Sequence, residues 1–537
     1  MRLAEKTLFT GLFLIPLALW PWSNDPYLMP KLALLAPIGL FLLSTSILQT
    51  NTLNAKEVKI TLGFSILFLT FLTSSLLLSS GNLTEKFYGH FTRNNGFLTY
   101  LSLFGFFLIG YINANQINLV KLSKYAKFMI IFTLAIGFAQ KLEINLTSIN
   151  PNNTLIGTFG NVNFQSAFLG MMSIFFIYEV YNEKNTFLMK LKNLVICSLV
   201  IMQIIYTQSV QGLILFVLNI LVLTFYSLKI KNKVFYLKIY SILFLISGFI
   251  SVAGIFNRGP LARYLFDLSN IDRGFCWETG MKIAQQNPLI GVGFDQYRHF
   301  YQQYRSEKAI EFQEKNFDHI CDTAHNIFID FAANNGFIVA TIYICLIALA
   351  LKKVSMILRN AKEFDYRIFS MIGLWIGYQV QSIISINHIG IAIWGWVTTG
   401  ILLGIKPKAG GQNSEVNNKI SNVPKLKLSV LSYGIGVILV IPLVMKYSNF
   451  YFAQYESTNV KLVQVSLQSP LMMPFLYASA KNSLEIGDYE TALKLSLVAA
   501  AEFPNSTDAW QLFLINPLAS KSEVHKAELN LKRLVKK

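Results

Sequence analysis

Charge is scarce in this chain. Only 14% of its 537 residues are Asp, Glu, Lys or Arg, 53% are hydrophobic, and the mean hydropathy is +0.46. A soluble domain carries about 25% charged residues, so a water-exposed globule is excluded. Acidic residues are the scarcer sign, 28 against 46 basic. No P-loop, no dinucleotide-binding glycine pattern, no zinc-ligand spacing and no Asp-x-Asp-type metal motif occurs. Neither a cofactor nor a metal is therefore expected. Low-complexity tracts and long repeats are lacking as well. Cysteine is limited to Cys197, Cys276, Cys321 and Cys345. Cys197 and Cys345 fall in apolar runs and read as packing residues. Cys276 and Cys321 fall in a polar stretch, where a disulfide and two free thiols are both open.

Apolar runs fill the space that charge leaves. They centre on residues 8–22, 31–49, 60–79, 97–113, 128–142, 161–181, 193–208, 212–228, 239–255, 326–351, 368–385, 389–405 and 428–446. Runs of about 20 apolar residues match the thickness of a bilayer. The expected fold is an all-α, polytopic transmembrane bundle of about 13 spans. The first run follows Arg2 and Lys6 as a signal peptide would. No small-residue cleavage site follows and a second run comes almost at once, so it reads as a retained first helix.

Alternate loops are basic. They hold Lys121, Lys124 and Lys127, then Lys229, Lys231, Lys233 and Lys238, then Lys352, Lys353, Arg359, Lys362 and Arg367. The short loops between them hold only Lys31, Lys86, Arg93 and Lys141. Cytoplasmic loops carry the excess of Lys and Arg. The N-terminus is therefore expected in the cytoplasm, and the long polar loop at about 256–325 and the tail outside. The net charge of +18 is then topological, with a contribution from anionic membrane lipid, and nucleic-acid binding is not expected.

The long loop concentrates the polar chemistry. It contains Arg273 four residues before Trp277, on one helix face. The run Asn287-Pro288-Leu289-Ile290-Gly291-Val292-Gly293 and Tyr297 follow. It ends in Asp322-Thr323-Ala324-His325-Asn326 at the mouth of the next span. A partly desolvated histidine there keeps a pKa suited to a general base. Asp322 and Asn326 are near enough to orient it. A plain helix cap by the same residues is the alternative. Arginine grips phosphate bidentately and stays charged, which suits Arg273 to a phosphorylated ligand; a surface salt bridge is the alternative. Arg258, Arg263, Arg298 and Arg305 are further candidates among which sequence does not choose. Arg93, in Thr92-Arg93-Asn94-Asn95-Gly96, runs against the charge bias, and a misplaced charge invites a functional reading; snorkelling to lipid phosphate is the competing one.

Three more polar clusters sit at span boundaries on the same expected side. They are Gly157 to Gln165 with Asn161 and Asn163, Thr207 to Gly212 with Gln211, and Gln381-Ser382 with Asn387-His388. They read as the lining of a sugar- or lipid-binding cleft or as ordinary turns. All six histidines (His90, His299, His319, His325, His388 and His525) map to that side. The expected domains are a membrane part, 1–447, and an outer helical tail, 448–537. In the tail Gly487, Tyr489, Ala492, Ala499 and Pro504 look like the second half of a tetratricopeptide unit. Lys406 to Lys425 reads as a flexible linker.

Together these pieces resemble the O-antigen ligase and polymerase superfamily, over roughly residues 80–405. The matching motifs are Gly-Thr-Phe-Gly-Asn-Val-Asn at 157–163, Arg273 with Trp277, the run 287–293, and His325-Asn326 followed by Gly336. The resemblance implies a metal-independent, inverting transfer of a glycan from a polyprenyl-pyrophosphate carrier to a lipid, glycan or protein acceptor, at the outer side of the inner membrane. By that analogy His325 acts on the acceptor hydroxyl and Arg273 holds the departing pyrophosphate. Arg93, Asn161, Asn163, Gln211, Trp277, Tyr297, Asp322, Asn326 and His388 are the candidate substrate contacts. A polymerase or protein O-oligosaccharyltransferase of the same superfamily is the alternative. A polysaccharide transporter is disfavoured, because neither inverted repeats nor broken, charged midplane spans are evident and the span interiors are nearly free of charge. Where many ligases carry Ser-Arg-Gly, this chain reads Ser209-Val210-Gln211-Gly212. A second phosphate contact would then come from elsewhere, with Arg93 the candidate.

Overall fold

The computed structural model describes residues 2–49, 56–144, 146–147, 154–255, 258–260, 273–315, 320–360, 365–405, 423–455 and 459–535. Arg263, His319 and residues 406–422 of the expected linker lie outside them. Every regular element among the described residues is an α-helix. In chain order they are α1 (Arg2–Leu17), α2 (Met29–Ile47), α3 (Lys56–Leu78), α4 (Leu83–Tyr88), α5 (Phe97–Ile112), α6 (Leu119–Lys141), α7 (Val162–Met172), α8 (Ile174–Tyr181), α9 (Phe187–Tyr206), α10 (Val210–Ile230) and α11 (Val234–Ile255). The long loop contributes α12 (Arg273–Gln286), α13 (Tyr297–Tyr304) and α14 (Glu307–Lys315). Then come α15 (Ile327–Asn360), α16 (Tyr366–Ile384), α17 (Ile389–Gly404) and α18 (Val423–Tyr455). The tail adds α19 (Asn459–Leu467), α20 (Met473–Glu485), α21 (Tyr489–Glu502), α22 (Thr507–Leu514) and α23 (Lys521–Leu534).

Each of the thirteen expected spans overlaps a helix or a consecutive pair of helices, although α1 ends at Leu17, short of the expected 22. Among the described residues eight stretches are long and apolar enough to cross a membrane, and α5, α17 and the first part of α11 are shorter apolar helices. The eight include α7 and α8 taken as one span. The expected number of crossings is thus not reproduced by length and composition alone.

α5 is the centre of the bundle. Almost every one of its residues is buried, and α2 and α17 pack on its two sides. Small residues let these backbones close up. A Cβ on Gly105 would lie 2.1 Å from the Gly39 carbonyl oxygen, and one on Gly400 would lie 2.0 Å from that of Phe107. The start of α2 is fixed by Asp25, whose carboxylate accepts the N–H groups of Tyr27, Leu28 and Met29 at 3.1, 2.9 and 3.0 Å. Met29 opens the first helical turn, whose N–H groups have no intrahelical acceptor, and Tyr27 and Leu28 lead into it.

α15 is broken. Gly336 has φ 86° and ψ 164°, outside the helical region. The break frees backbone groups that need partners, and the run 287–293 supplies them. Val292 N donates to Ala333 O at 3.0 Å, Gly293 N to Asn334 O at 2.8 Å, and Phe337 N to Pro288 O at 2.8 Å. Ser75 of α3 closes the junction, donating to Ile290 O at 2.8 Å and accepting from Asn335 Nδ2 at 3.1 Å. The loop is thereby bolted to the span it enters.

The tail packs α19 on α20, α20 on α21, α21 on α22 and α22 on α23. Ala492 and Ala499 are fully buried, and Gly487 turns the α20–α21 connection at φ 80°. α18 runs continuously through residue 447, the expected domain boundary. Phe475 of the tail stacks on Phe450 and meets Phe91 and Tyr447. Asn82 bonds Glu502 at 2.9 Å.

Gly336→Ala is expected to be costly. A Cβ there would sit 2.4 Å from the Leu289 carbonyl oxygen, at a positive φ. Such strain costs about 1–3 kcal/mol before any clash, and thermal unfolding in detergent should show a clear loss. Gly63→Ala in α3 meets nothing within 4 Å and should be neutral or stabilise by up to about 1 kcal/mol. Equal effects at the two sites would contradict the bolted junction.

Candidate functional site

The segment between α4 and α5 carries Arg93. Its backbone is tightly turned, with Thr92 and Asn94 at φ 64° and 52°. Arg93 N and Asn94 N both donate to His90 O, at 3.0 and 2.9 Å. Asp295 Oδ2 accepts from His90 N at 2.7 Å and Asn95 N at 3.2 Å. Asn94 Nδ2 donates to Asp25 at 2.9 Å, and Asn95 Nδ2 to Asn387 O at 2.8 Å. The loop is held from three directions, so the guanidinium starts from a fixed base. It donates to Asp322 Oδ2 through Nε at 2.6 Å and Nη2 at 2.5 Å.

Asp322 is placed by the other strut of the site. Cys276 of α12 and Cys321 are joined by a disulfide, with Cα atoms 5.9 Å apart. The open choice at these cysteines is thus resolved. It also anchors the helix that begins with Arg273 next to Asp322. His325 adopts φ 53°, and its Nε2 lies 3.9 Å from Asp322 Oδ1. One carboxylate therefore faces a guanidinium on one side and an imidazole on the other. Ala324 N donates to Asp330 Oδ1 at 2.7 Å, and Asn326 Oδ1 caps α15 by accepting from Phe328 N and Ile329 N at 3.0 and 3.2 Å. These bonds fix the turn that presents the ring.

Charge states follow from burial and neighbours. Burial works against the Asp322 charge, but Arg93 and then His325 outweigh it and hold the carboxyl below its usual range. Burial pushes Asp295 up to about 6, against the pull of His90 and of its two backbone donors.

The remaining clusters join this group by direct contacts. Asn387 Nδ2 reaches Asn95 Oδ1 at 3.2 Å. His388 Nε2 lies 3.3 Å from Phe159 O, its Nδ1 accepts from Gly390 N at 3.2 Å, and its ring sits between Phe159 and Phe164. Asn163 Oδ1 accepts from Ser209 Oγ at 2.7 Å. The three polar boundary clusters and Arg93 thus form one connected face. Within it, Gln211 Oε1 and both amide atoms of Gln381 are buried without a hydrogen-bond partner among the described residues; so is Nε1 of Trp277, which packs on the core of the long loop. Each is a polar group aimed into protein with nothing yet to satisfy it.

Other predicted residues have structural partners. Tyr297 is fully buried, and its hydroxyl donates to Cys276 O at 2.5 Å. Asn161 caps α7 through Asn163 N at 2.8 Å, and Asn326 is the cap described above. Arg298 faces Asp508 of the tail at 3.9 Å. Sequence reasoning missed Asp25, Asp295 and Asp330. The available signal was weak: acids are the rarer charge here, with Asp25 just before the second apolar run, Asp330 inside the tenth and Asp295 within the long loop.

Arg93→Ala should destabilise the chain by about 2 kcal/mol, the cost of stripping a charged hydrogen bond from a partly buried carboxylate. Asp322 titrates lower folded than unfolded. Its contribution is full above the ordinary Asp value of about 3.9 and is lost as the pH falls through the folded value. Unfolding temperatures measured from pH 6 down to pH 3 should fall more steeply for the parent than for Asp322→Asn. Parallel curves would remove the ion pair from the account.

No curated protein matches the chain. Residues 194–344 match the family model described as O-antigen ligase. The match runs from within α9, through α10, α11 and the long loop, to just past the break in α15. It takes in Gln211, Arg273, Trp277, Asp322, His325 and Asn326, together with the bolted junction. That family is one of glycosyltransferase-like enzymes, and residues 194–344 of this membrane bundle are similar to it.

Proposed function

We propose that the chain transfers an oligosaccharide or polysaccharide from a polyprenyl-pyrophosphate carrier to an acceptor hydroxyl, by a metal-independent, inverting displacement at the outer face of the inner membrane. The observation that carries this reading is Asp322, which pairs with Arg93 and faces His325 at 3.9 Å. It sets a fixed cation and a proton acceptor on one carboxylate, as the two ends of a displacement require.

In this reading His325 takes the acceptor proton as the hydroxyl oxygen attacks the anomeric carbon. The bond from that carbon to the pyrophosphate oxygen breaks on the opposite side, which inverts the configuration. Negative charge grows on the departing pyrophosphate, and stabilising it is the main electrostatic task. Arg273 supplies one guanidinium. Arg93 supplies the second, since a guanidinium has five N–H donors and two of them meet Asp322. Asp322 favours the imidazolium that forms on His325, as carboxylates do for histidine bases. Gln211, Gln381 and Trp277 offer unsatisfied polar atoms to sugar hydroxyls. The charge bias of the loops supports an N-terminus in the cytoplasm, with the tail from residue 448, tetratricopeptide-like at Gly487 to Pro504, outside with the site.

His325→Ala should lower consumption of polyprenyl-pyrophosphate-linked glycan in membranes by about 100-fold or more, the usual worth of a general base. Arg273→Ala should lower it by about 100-fold through the leaving group. Normal turnover in both variants, at normal expression, would sink the mechanism. The orientation has its own check. A cysteine placed at the exposed Glu307 should react with a membrane-impermeant maleimide added outside, and labelling only from the cytoplasm would reverse the topology.

A further inference from the structure

Three donors meet at the junction of α4 with the long loop. Glu85 lies on α4, His90 follows it after the turn at Gly89, and His299 comes from α13. Glu85 Oε1 is 2.8 Å from His90 Nδ1, and Glu85 Oε2 is 3.1 Å from His299 Nε2. The three donor atoms lie within 4.8 Å of one another. Exposures are only 3%, 8% and 9%, so water screens the cluster little. Sequence spacing did not announce it, because His299 arrives from more than two hundred residues away.

Two imidazoles and a carboxylate, arriving from two chain segments, are a chelating set suited to zinc and its neighbours. Metal–nitrogen and metal–oxygen bonds of about 2.0–2.2 Å need donors about 3.3 Å apart in a tetrahedral site. Replacing the shared protons by a cation thus asks each donor to move by less than about 1 Å. Three protein donors leave a fourth position for water. The backbone that carries two of the ligands is held in place. Glu85 N is held by Asn82 Oδ1 at 3.1 Å, and His90 N by Asp295 at 2.7 Å.

We propose that Glu85, His90 and His299 form a zinc-class divalent metal site that clamps α13 of the long loop to the segment carrying Arg93. Binding exchanges the protons bridging the cluster for the cation and releases them to solvent. The clamp acts on Arg93 at short range, because Arg93 N donates to His90 O at 3.0 Å. It is a fastening beside the polar face, independent of the glycosyl-transfer reading.

The test uses the full chain in detergent, stripped with EDTA and dialysed. Zinc chloride titrated by calorimetry should bind one per chain, release protons, and raise the unfolding temperature by several degrees. Glu85→Gln and His299→Ala should each weaken binding at least 10-fold, while His525→Ala in the tail should not. Cobalt(II) added to the stripped parent should give the visible bands of a four-coordinate nitrogen and oxygen site, which needs no variant to fold. Absent stoichiometric binding, or binding unchanged in both cluster variants, would overturn the proposal, as would a cobalt spectrum typical of the hydrated ion.

Discussion

The break at Gly336 is the constraint from which the site follows. An unbroken α15 would need no partner from the loop, and the run 287–293 would have nothing to bind. Once the helix opens, two carbonyls and one N–H must be satisfied inside protein, and Val292, Gly293 and Pro288 do so at 3.0, 2.8 and 2.8 Å. The fit is mutual. A side chain on Gly291 would strike Asn334 within 2.3 Å, and one on Gly336 would strike Leu289 within 2.4 Å. Ser75 then ties the knot to α3. A loop of dozens of polar residues thus loses its freedom at one point, a few turns from His325.

A second fastening completes the framework. The disulfide between Cys276 and Cys321 holds α12 against the entry to α15. Between these two points lies a small core of the loop's own, in which Tyr297, Tyr301, Ile283 and Val292 are buried. This explains why Tyr297 is a packing residue in the structure, with its hydroxyl spent on the Cys276 carbonyl. It also explains how Arg93, from a distant segment, finds Asp322 at hydrogen-bond distance. Ionised groups near a membrane are costly unless paired. Here the pairing is made by elements that are themselves immobilised, so the cost is met by geometry fixed during folding.

The legible part of the molecule was its periodicity and its punctuation. Thirteen apolar runs became helices, and the boundary clusters met on one face through Asn95 with Asn387, Phe159 with His388, and Asn163 with Ser209. The motifs at 287–293 and Gly336 were visible as two separate features. Their relation was not, since it depends on backbone hydrogen bonds that carry no side-chain signature. The cysteine pair was undecidable for the same reason: spacing in the chain says nothing of distance in space. Asp295 and Asp25 were overlooked because each acts on backbone N–H groups, and such work leaves no motif.

Placement also separates residues that sequence alone treats alike. Asn161 and Asn326 cap helices through their side chains. Asn163 and His388 join segments. Some polar groups on the face, among them Gln211 and Gln381, have buried atoms with no partner among the described residues. A buried polar atom left unpaired costs about 1–3 kcal/mol. Such atoms also occur elsewhere in the spans, at Asn219 and Trp394, so those on the face holding Arg93, Asp322 and His325 gain meaning only from the charged groups beside them. A ligand rich in hydroxyl groups removes that penalty on binding, whereas a purely apolar lipid tail cannot. On the proposed reading, the hydroxyl groups of a sugar-bearing ligand would meet buried atoms that lipid alone would leave unpaired, on grounds separate from the charge of Arg93 and Arg273.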